Sequence, residues 1–322
     1  MNEVEEALAK GLSEYGEADW LHGLVEIAEE HGYFQPLGKR HFAALVENGN
    51  KTLFVSFETL PGMRTEGEPF GWRFVREQGW SHLCLASDGD TWFRDPKVYG
   101  YFDRLVDDGF LEDFEKVIFY GAGPCGYAAA AFSVAAPGAT VIAISPQASL
   151  DPEVSIWDGR FTHMRRTSFS DRYGFAPDMV DAADRMFLIY DPAETEDAMH
   201  AALFRRRHVR LLPMRRMGPA IEGELKEMQV LGRIIELAGA DRLTRAAFAR
   251  LSRTRRSHPP YLRRLMAAAE AADRPILAAA VCRNVVKRMK APRFARKLEG
   301  LEAAAEQRRA DLALMRKAVE TA

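Results

Sequence analysis

The residues best placed to do chemistry lie in one short stretch, Lys116-Val117-Ile118-Phe119-Tyr120-Gly121-Ala122-Gly123-Pro124-Cys125-Gly126-Tyr127-Ala128-Ala129-Ala130. An apolar run meets a turn of small residues and leaves it as an alanine-rich helix. Two chemistries suit such a junction. A thiol on the first helical turn, here Cys125, feels the positive end of the helix dipole, which lowers its pKa and makes it more nucleophilic. A glycine-rich turn at a helix start can also cradle a phosphate or carboxylate through backbone N–H groups. The spelling excludes two common versions of that cradle. There is no Lys-Ser/Thr pair for a Walker A loop, Pro124 removes one N–H donor, and the third glycine falls one position early for a dinucleotide fingerprint.

These residues need a scaffold, and the chain supplies one in alternating segments. Thr52 to Phe57, Leu83 to Ser87, Lys116 to Tyr120, Ala139 to Ile144, Arg185 to Tyr190 and His208 to Leu212 are short apolar runs rich in β-branched or aromatic residues, the pattern of buried strands. Helical stretches such as Asp95 to Asp108, Gly126 to Ala135 and Asp197 to Arg207 fall between them. That alternation predicts an α/β fold, a mainly parallel sheet covered by helices, followed by an all-α C-terminal module. Ligand sites in such sheets lie beyond the carboxyl ends of the strands. Ser145 and Gln147, Asp191, and Asp88 and Asp90 all follow predicted strands and join the candidates. Asp197 and His200 lie on the helix that follows Asp191. Each also has a plain structural reading: Ser145 and Gln147 as partners of strand-end backbone, Asp191 or Asp197 as a cap or turn residue, His200 as a helix-face residue, Cys125 as a small packing residue. Asp88-Gly89-Asp90 reads as a turn, and with no third carboxylate in sequence no metal site is expected.

In detail the turn resembles the nucleophile elbow of α/β-hydrolases, in which a strained strand-to-helix turn lifts a serine above the sheet. It is similar to the branch associated with polysaccharide and glycoprotein export, whose elbow reads tyrosine, glycine, any, serine, any, glycine, glycine, tyrosine, alanine. Tyr120, Gly121, Gly126, Tyr127 and Ala128 match that pattern, Ala122 and Pro124 fill its variable places, and Gly123 stands where the serine belongs. Ser145-Pro146-Gln147 and the stretch from Tyr190-Asp191-Pro192 to Asp197-Ala198-Met199-His200 extend the likeness over about residues 51–232. The resemblance implies that Phe57 and Glu58 border an oxyanion hole, that an acid follows in the place of Asp191 or Asp197, and that a histidine sits beyond the last strand. That last loop, Pro213-Met214-Arg215-Arg216-Met217-Gly218-Pro219, holds none, and no histidine occurs between His208 and His258. Glycine has no side chain to form an acyl- or glycosyl-enzyme.

The chain of 322 residues divides by pattern into an N-terminal helical cover at 1–50, a hydrolase-like domain at 51–240 and a basic helical module at 241–322. Residues 241–322 carry 20 Lys/Arg against 8 Asp/Glu, while the rest carries 24 against 38. Such a tail suits a protein partner, an anionic surface or the chain's own acidic part. It lacks the interleaved aromatics of sequence-reading nucleic-acid binders, so any contact there is a salt-sensitive one. Three well-separated cysteines, Cys84, Cys125 and Cys282, exclude a disulfide framework or a CxxC pair, and Cys84 and Cys282 read as core. No stretch reaches the roughly 18 to 20 apolar residues of a membrane span, and the acidic start is unlike a secretory signal, so a cytoplasmic protein is expected.

The expectation for function is a hydrolase-like protein without an intact triad that binds a small molecule, a glycan-related ligand by resemblance, or a partner, with no cofactor. The alternative is an esterase, thioesterase or acyltransferase using Cys125 or an unrecognised serine. A third, disfavoured reading is phosphoadenosine phosphosulfate reductase, as a transferred name. The residues oppose it: there is no Ser-Gly-Gly-x-Asp-Ser loop and no Glu-Cys-Gly setting, Cys282 lying in Ala280-Val281-Cys282-Arg283.

Overall fold

A computed structural model of the chain describes residues 3–10, 12 and 19–320. It separates into two compact units, one running up to Arg215 and taking in Gly232–Arg245, the other made of Arg216–Leu231 and the chain from Ala246 onward.

The first unit is built on eight strands: β1 (Gly32–Pro36), β2 (His41–Val46), β3 (Thr52–Thr59), β4 (Ser81–Ser87), β5 (Lys116–Ala122), β6 (Thr140–Ile144), β7 (Arg185–Tyr190) and β8 (Val209–Pro213). They form one sheet in the order β1-β2-β4-β3-β5-β6-β7-β8. Pairing is antiparallel between β1 and β2 and between β2 and β4, and parallel at every other junction, so β2 alone runs against the rest. This order and direction are those of the α/β-hydrolase fold. All six strands expected from apolar runs are present, three of them lengthened by two residues and the others within one residue of the expected bounds.

Residues 1–50 do not form a purely helical cover. Helices α1 (Glu3–Lys10) and α2 (Trp20–His31) are followed by β1 and β2, which extend the sheet itself. The pairing of Tyr33 with Leu45 and of Ala44 with Cys84 ties them in. Their sequence signal is weak because β1 is half-exposed and reads Gly-Tyr-Phe-Gln-Pro, with no alternation.

The two faces of the sheet bury different things. Leu53, Val55, Phe57, Leu83, Leu85, Phe119 and Val141 point to one face, where they pack under α5 (Pro96–Asp107) and α6 (Pro124–Phe132). Alternate residues, among them Ala44, Cys84 and Ala86, face α2, α3 (Leu60–Glu66) and α4 (Trp72–Gln78). Helix α6 is almost wholly buried because alanines at 128–131 let it lie close to the strands. Its last residue, Phe132, stacks on Phe57 and Phe102 with ring centroids 5.7 and 4.5 Å away. Between β6 and β7 the chain makes a long excursion with two short helices, α7 (Pro152–Ser155) and α8 (Ala176–Met179), and α9 (Thr195–Leu203) follows β7.

The second unit is helical: α10 (Ile221–Glu227), α12 (Arg245–Leu251), α13 (Pro259–Ala271), α14 (Pro275–Arg288) and α15 (Pro292–Glu320). Helix α10 is followed by α11 (Leu231–Gly239), with Gln229 between them at a φ of 57°. Prolines open α13, α14 and α15, where the missing N–H costs nothing. Leu262, Cys282, Val285 and Phe294 form the small core of this unit. None of the described helices is long and apolar enough to cross a membrane.

Replacing Phe132 by alanine removes the ring shared by β3, α5 and the excursion. Chemical denaturation should show a loss of about 3–5 kcal/mol, with the native sheet signal retained below the transition.

Candidate functional site

Strand β5 ends at Ala122, and Gly123 turns the chain directly into α6 with φ 55° and ψ −122°. Glycine adopts that geometry without penalty, whereas a side chain there sits under strain. The neighbours explain why small residues surround it. A Cβ on Gly121 would overlap the backbone carbonyl of Cys125, and one on Gly126 would stand 3.1 and 3.2 Å from the carbonyl oxygens of Gly121 and Ile144. A Cβ on Gly123 would meet nothing within 4 Å. The turn is thus tight on either side and open at Gly123, the position that the resemblance aligns with a nucleophile.

The residue after the apex matters as much. In this fold its backbone N–H serves as one oxyanion-hole donor, and here it is Pro124, which has no N–H. Cys125 is buried at 6% exposure and belongs to the core under the sheet. Tyr127 is wholly buried, and its hydroxyl donates to the carbonyl of Tyr173 at 2.7 Å. Burial pushes that phenol well above its usual pKa, with the Arg94 charge opposing.

The strand ends beside the elbow are strained and polar. Gly123 donates its N–H to Ile144 at 2.8 Å, which sets Ser145 beside the apex. Ser145 has a φ of 44°, and its hydroxyl is buried with no hydrogen-bond partner. Gln147 donates to the Ser145 carbonyl at 3.3 Å and accepts from the Trp92 indole at 2.9 Å. Trp92 and Phe93 follow β4 with φ of 51° and 56°, both buried. Left-handed conformations in residues with large side chains cost free energy and tend to gather at functional edges. Sequence reading named Ser145 and Gln147 but carried no signal of the backbone strain at Ser145, Trp92 and Phe93.

Phe57 and Glu58 diverge. Strand β3 pairs with β5 only as far as Ser56 and Tyr120, while its pairing with β4 continues to Thr59 and Ser87, so 57–59 run past the elbow as strand. Phe57 enters the aromatic core. Glu58 turns to the opposite face and joins a cluster that sequence reading missed. The Ser56 hydroxyl donates to Glu58 at 2.5 Å and accepts from His82 Nε2 at 2.8 Å, and the Cys84 thiol lies 3.7 Å from the same carboxylate oxygen. Burial lowers the His82 pKa to about 3 and, with the Glu58 charge second, raises the Cys84 thiol. Glu58, His82 and Cys84 offer donor atoms within 4.8 Å of one another, a spacing compatible with a cation. The Ser56 hydroxyl already bridges two of them, and His82 Nδ1 is buried without a partner. A ligating histidine normally has its second nitrogen hydrogen-bonded, so the cluster fits a structural hydrogen-bond hub centred on the Glu58 carboxylate better than a metal centre. Asp88 and Asp90 are exposed in the turn after β4.

Of the three remaining candidates, Asp191 directly follows β7, while Asp197 and His200 lie on α9. Asp191, fully buried, accepts from the Ala193 N–H at 2.9 Å in a turn. Asp197 and His200 share a buried network on α9. Arg160 reaches Asp197 at 2.7 Å and Asp158 at 2.8 Å. His200 Nδ1 accepts from the Ala148 N–H at 3.1 Å, which puts the ring proton on Nε2 and directs it to Asp158 at 3.0 Å. Both nitrogens are therefore occupied in tying α9 to the excursion. Burial alone would raise the Asp158 carboxyl, but hydrogen bonds from His200 and Arg160 outweigh it and hold the pKa below the usual range. Arg94, 1% exposed, pins the same excursion from the other side through Asp171, the Ser168 carbonyl and the Arg172 carbonyl.

No protein-family model and no curated protein matches the chain. Solved structures similar to it include the esterase domain of a Rhodothermus marinus protein, at 15% identity over 62% of this chain and 94% of that one, with a TM-score of 0.38. A glycosylation-associated protein complex from Streptococcus agalactiae aligns at 12% identity over 62% of this chain and 44% of that one, with a TM-score of 0.41. The capsule O-acetyltransferase of Neisseria meningitidis serogroup A aligns at 12% identity over 59% and 90%, with a TM-score of 0.36. These are likenesses to the chain, and the fold assignment rests on its own strand order.

Two measurements check this geometry. Gly123→Ala should cost on the order of 1–3 kcal/mol from backbone strain alone, and Gly121→Ala should cost more, since its methyl meets backbone that cannot rotate away. For Asp158→Asn, the folded-state carboxyl lies below its unfolded value, so its contribution is present above the unfolded pKa and fades as pH falls. The stability gap between wild type and variant should be wide at pH 7 and narrow progressively below about pH 5.

Proposed function

We propose that the α/β unit is a non-catalytic ligand-binding domain on a hydrolase scaffold. The observation that carries this reading is the pair Gly123-Pro124, which leaves the elbow apex without a nucleophile and the following position without an oxyanion donor. The absence of histidine from residues 209–257 supports it from a separate part of the chain. So does His200, whose two nitrogens are engaged away from the elbow.

The same edge keeps features that favour binding. A buried hydroxyl without a partner costs about 1–3 kcal/mol, and Ser145 holds one in a strained backbone next to the apex. A ligand with a polar group at that point would satisfy it, while Trp92 and Gln147 hold the wall. With Gly123 bare, such a group approaches the α6 backbone without a side chain between them. The chemical class best suited is a small molecule with a hydroxyl or carbonyl; a glycan-related ligand falls within it by resemblance to the export-associated branch. The basic helical unit supplies a second, partner-directed surface.

The test is hydrolysis of a panel of short acyl esters and thioesters, with fluorophosphonate and iodoacetamide labelling, on the wild type, Cys125→Ala and Gly123→Ser. No turnover and no fluorophosphonate adduct is expected from the wild type, and Cys125→Ala should change nothing. Gly123→Ser should stay at least 10²-fold below a working esterase, because one oxyanion donor is worth about that much and the loop after the last strand holds no histidine to take the proton. Turnover in the wild type that disappears in Cys125→Ala would overturn the reading and make Cys125 the nucleophile.

A further inference from the structure

The helical unit carries a groove that the function of the α/β unit does not use. It lies between α13 and α14, encloses about 520 Å³, and is floored by Leu262, Leu265, Val281 and Val285 with Leu277 at one end. On α14 the lining positions 277, 280, 281, 284, 285 and 288 recur at three- and four-residue spacing, so they form one stripe along the helix. The stripe runs roughly 16 Å, about three turns. Leu277 is 46% exposed, large for an apolar side chain on a charged helix. Ala280 at mid-stripe keeps the floor low enough for another backbone to come close.

The rim is cationic. Arg256 and Arg288 line the groove, and Arg288 is held in place by donating to the Arg256 carbonyl at 2.9 Å and to the Asn284 side chain at 3.0 Å. A second cavity of about 290 Å³ shares Leu262 and Val285 with the first and adds Arg263, Lys290 and Arg293. Between residues 252 and 293 the sequence holds 11 Lys/Arg and 2 Asp/Glu. Both acids, Glu270 and Asp273, already face cations of α15, at 2.9 Å to Lys297 and 3.7 Å to Arg308. Elsewhere in the unit Glu224 pairs with Arg264 and Glu302 with Arg283, while the groove's own Arg256 and Arg288 form no ion pair with a carboxylate among the described residues.

We infer that this groove docks an acidic amphipathic helix of a protein partner, its apolar face on Leu262, Leu265, Leu277 and Val281 and its carboxylates against Arg256, Arg288 and the cations beyond. Helix-in-groove recognition needs an apolar trough matched to side chains at i, i+3 or i+4, and i+7, and the stripe on α14 has that period. Charge opposite in sign on the rim sets orientation and speeds association. A lipid surface would be met by apolar side chains on a protruding ridge, whereas these line a trough. Nucleic acid would use the cations and leave the aliphatic floor without a role. The inference stands or falls separately from the reading of the elbow.

The experiment uses the full chain and a fluorescent synthetic peptide of about five helical turns, with leucines at i, i+3, i+4 and i+7 and glutamates elsewhere. Fluorescence anisotropy should show saturable binding that weakens at least tenfold in Leu277→Asp and in Arg256→Glu/Arg288→Glu. Val286→Asp, on an exposed position outside the groove, should bind as the wild type does. Circular dichroism of each variant checks that the helices remain. The proposal is overturned if no saturable binding occurs, if a glutamate-rich peptide without leucines binds equally well, or if Leu277→Asp has no effect. It is also overturned if vesicles of phosphatidylserine or a DNA duplex bind the groove, as judged by loss in Leu277→Asp, while the peptide does not.

Discussion

The close approach of strand β5 to helix α6 is the constraint on which the rest of the first unit depends. At Gly121 and Gly126 the two backbones pass with no room for a side chain, and alanines at 128–131 continue the contact along the helix. That approach places α6 low on the sheet, and Phe132 at its end becomes a point where β3, α5 and the excursion meet. It also dictates the turn at Gly123. A chain that must reverse from strand to buried helix in one residue has to take a positive φ there. The turn is accordingly an architectural element first, dictated by the close packing of α6 on β5.

How much of this was legible in the sequence follows from what each signal measures. Runs such as Lys116 to Tyr120 and Arg185 to Tyr190 announce themselves because a strand buried on both faces must be apolar throughout. The elbow was readable because steric exclusion leaves only small residues at 121 and 126. Strand β1 was not, since a half-exposed edge strand carries no strong period and Gly32 and Pro36 look like the end of the preceding helix; β2 is nearly all buried, and a run as short as His41–Val46 cannot be told from a helix segment by period. The hub of Ser56, Glu58, His82 and Cys84 was equally hidden. Its members are two residues apart on each of two strands separated by more than twenty residues, and only the parallel register that sets Ser56 beside Cys84 brings them together.

The candidate site was legible in its losses more than in its contents. Gly123 and the missing histidine could be named from the resemblance, but the meaning of Pro124 required the turn itself, where it occupies the first position of α6. His200 and Asp197 kept the look of an acid and base because they share a helix and a spacing of three. In the folded chain that spacing serves Asp158 and Arg160. A carboxylate and an imidazole buried together are held by whatever satisfies both of them, and here the satisfaction is structural.

The excursion between β6 and β7 is anchored twice, by Arg94 from the β4 side and by His200 from α9. Each anchor is a buried polar group whose release would strand an unpaired charge or N–H. A wall fixed in this way has little freedom to rearrange. Under the binding reading proposed above, a ligand at the strand ends would meet a competent state already populated, with little affinity lost to a conformational pre-equilibrium.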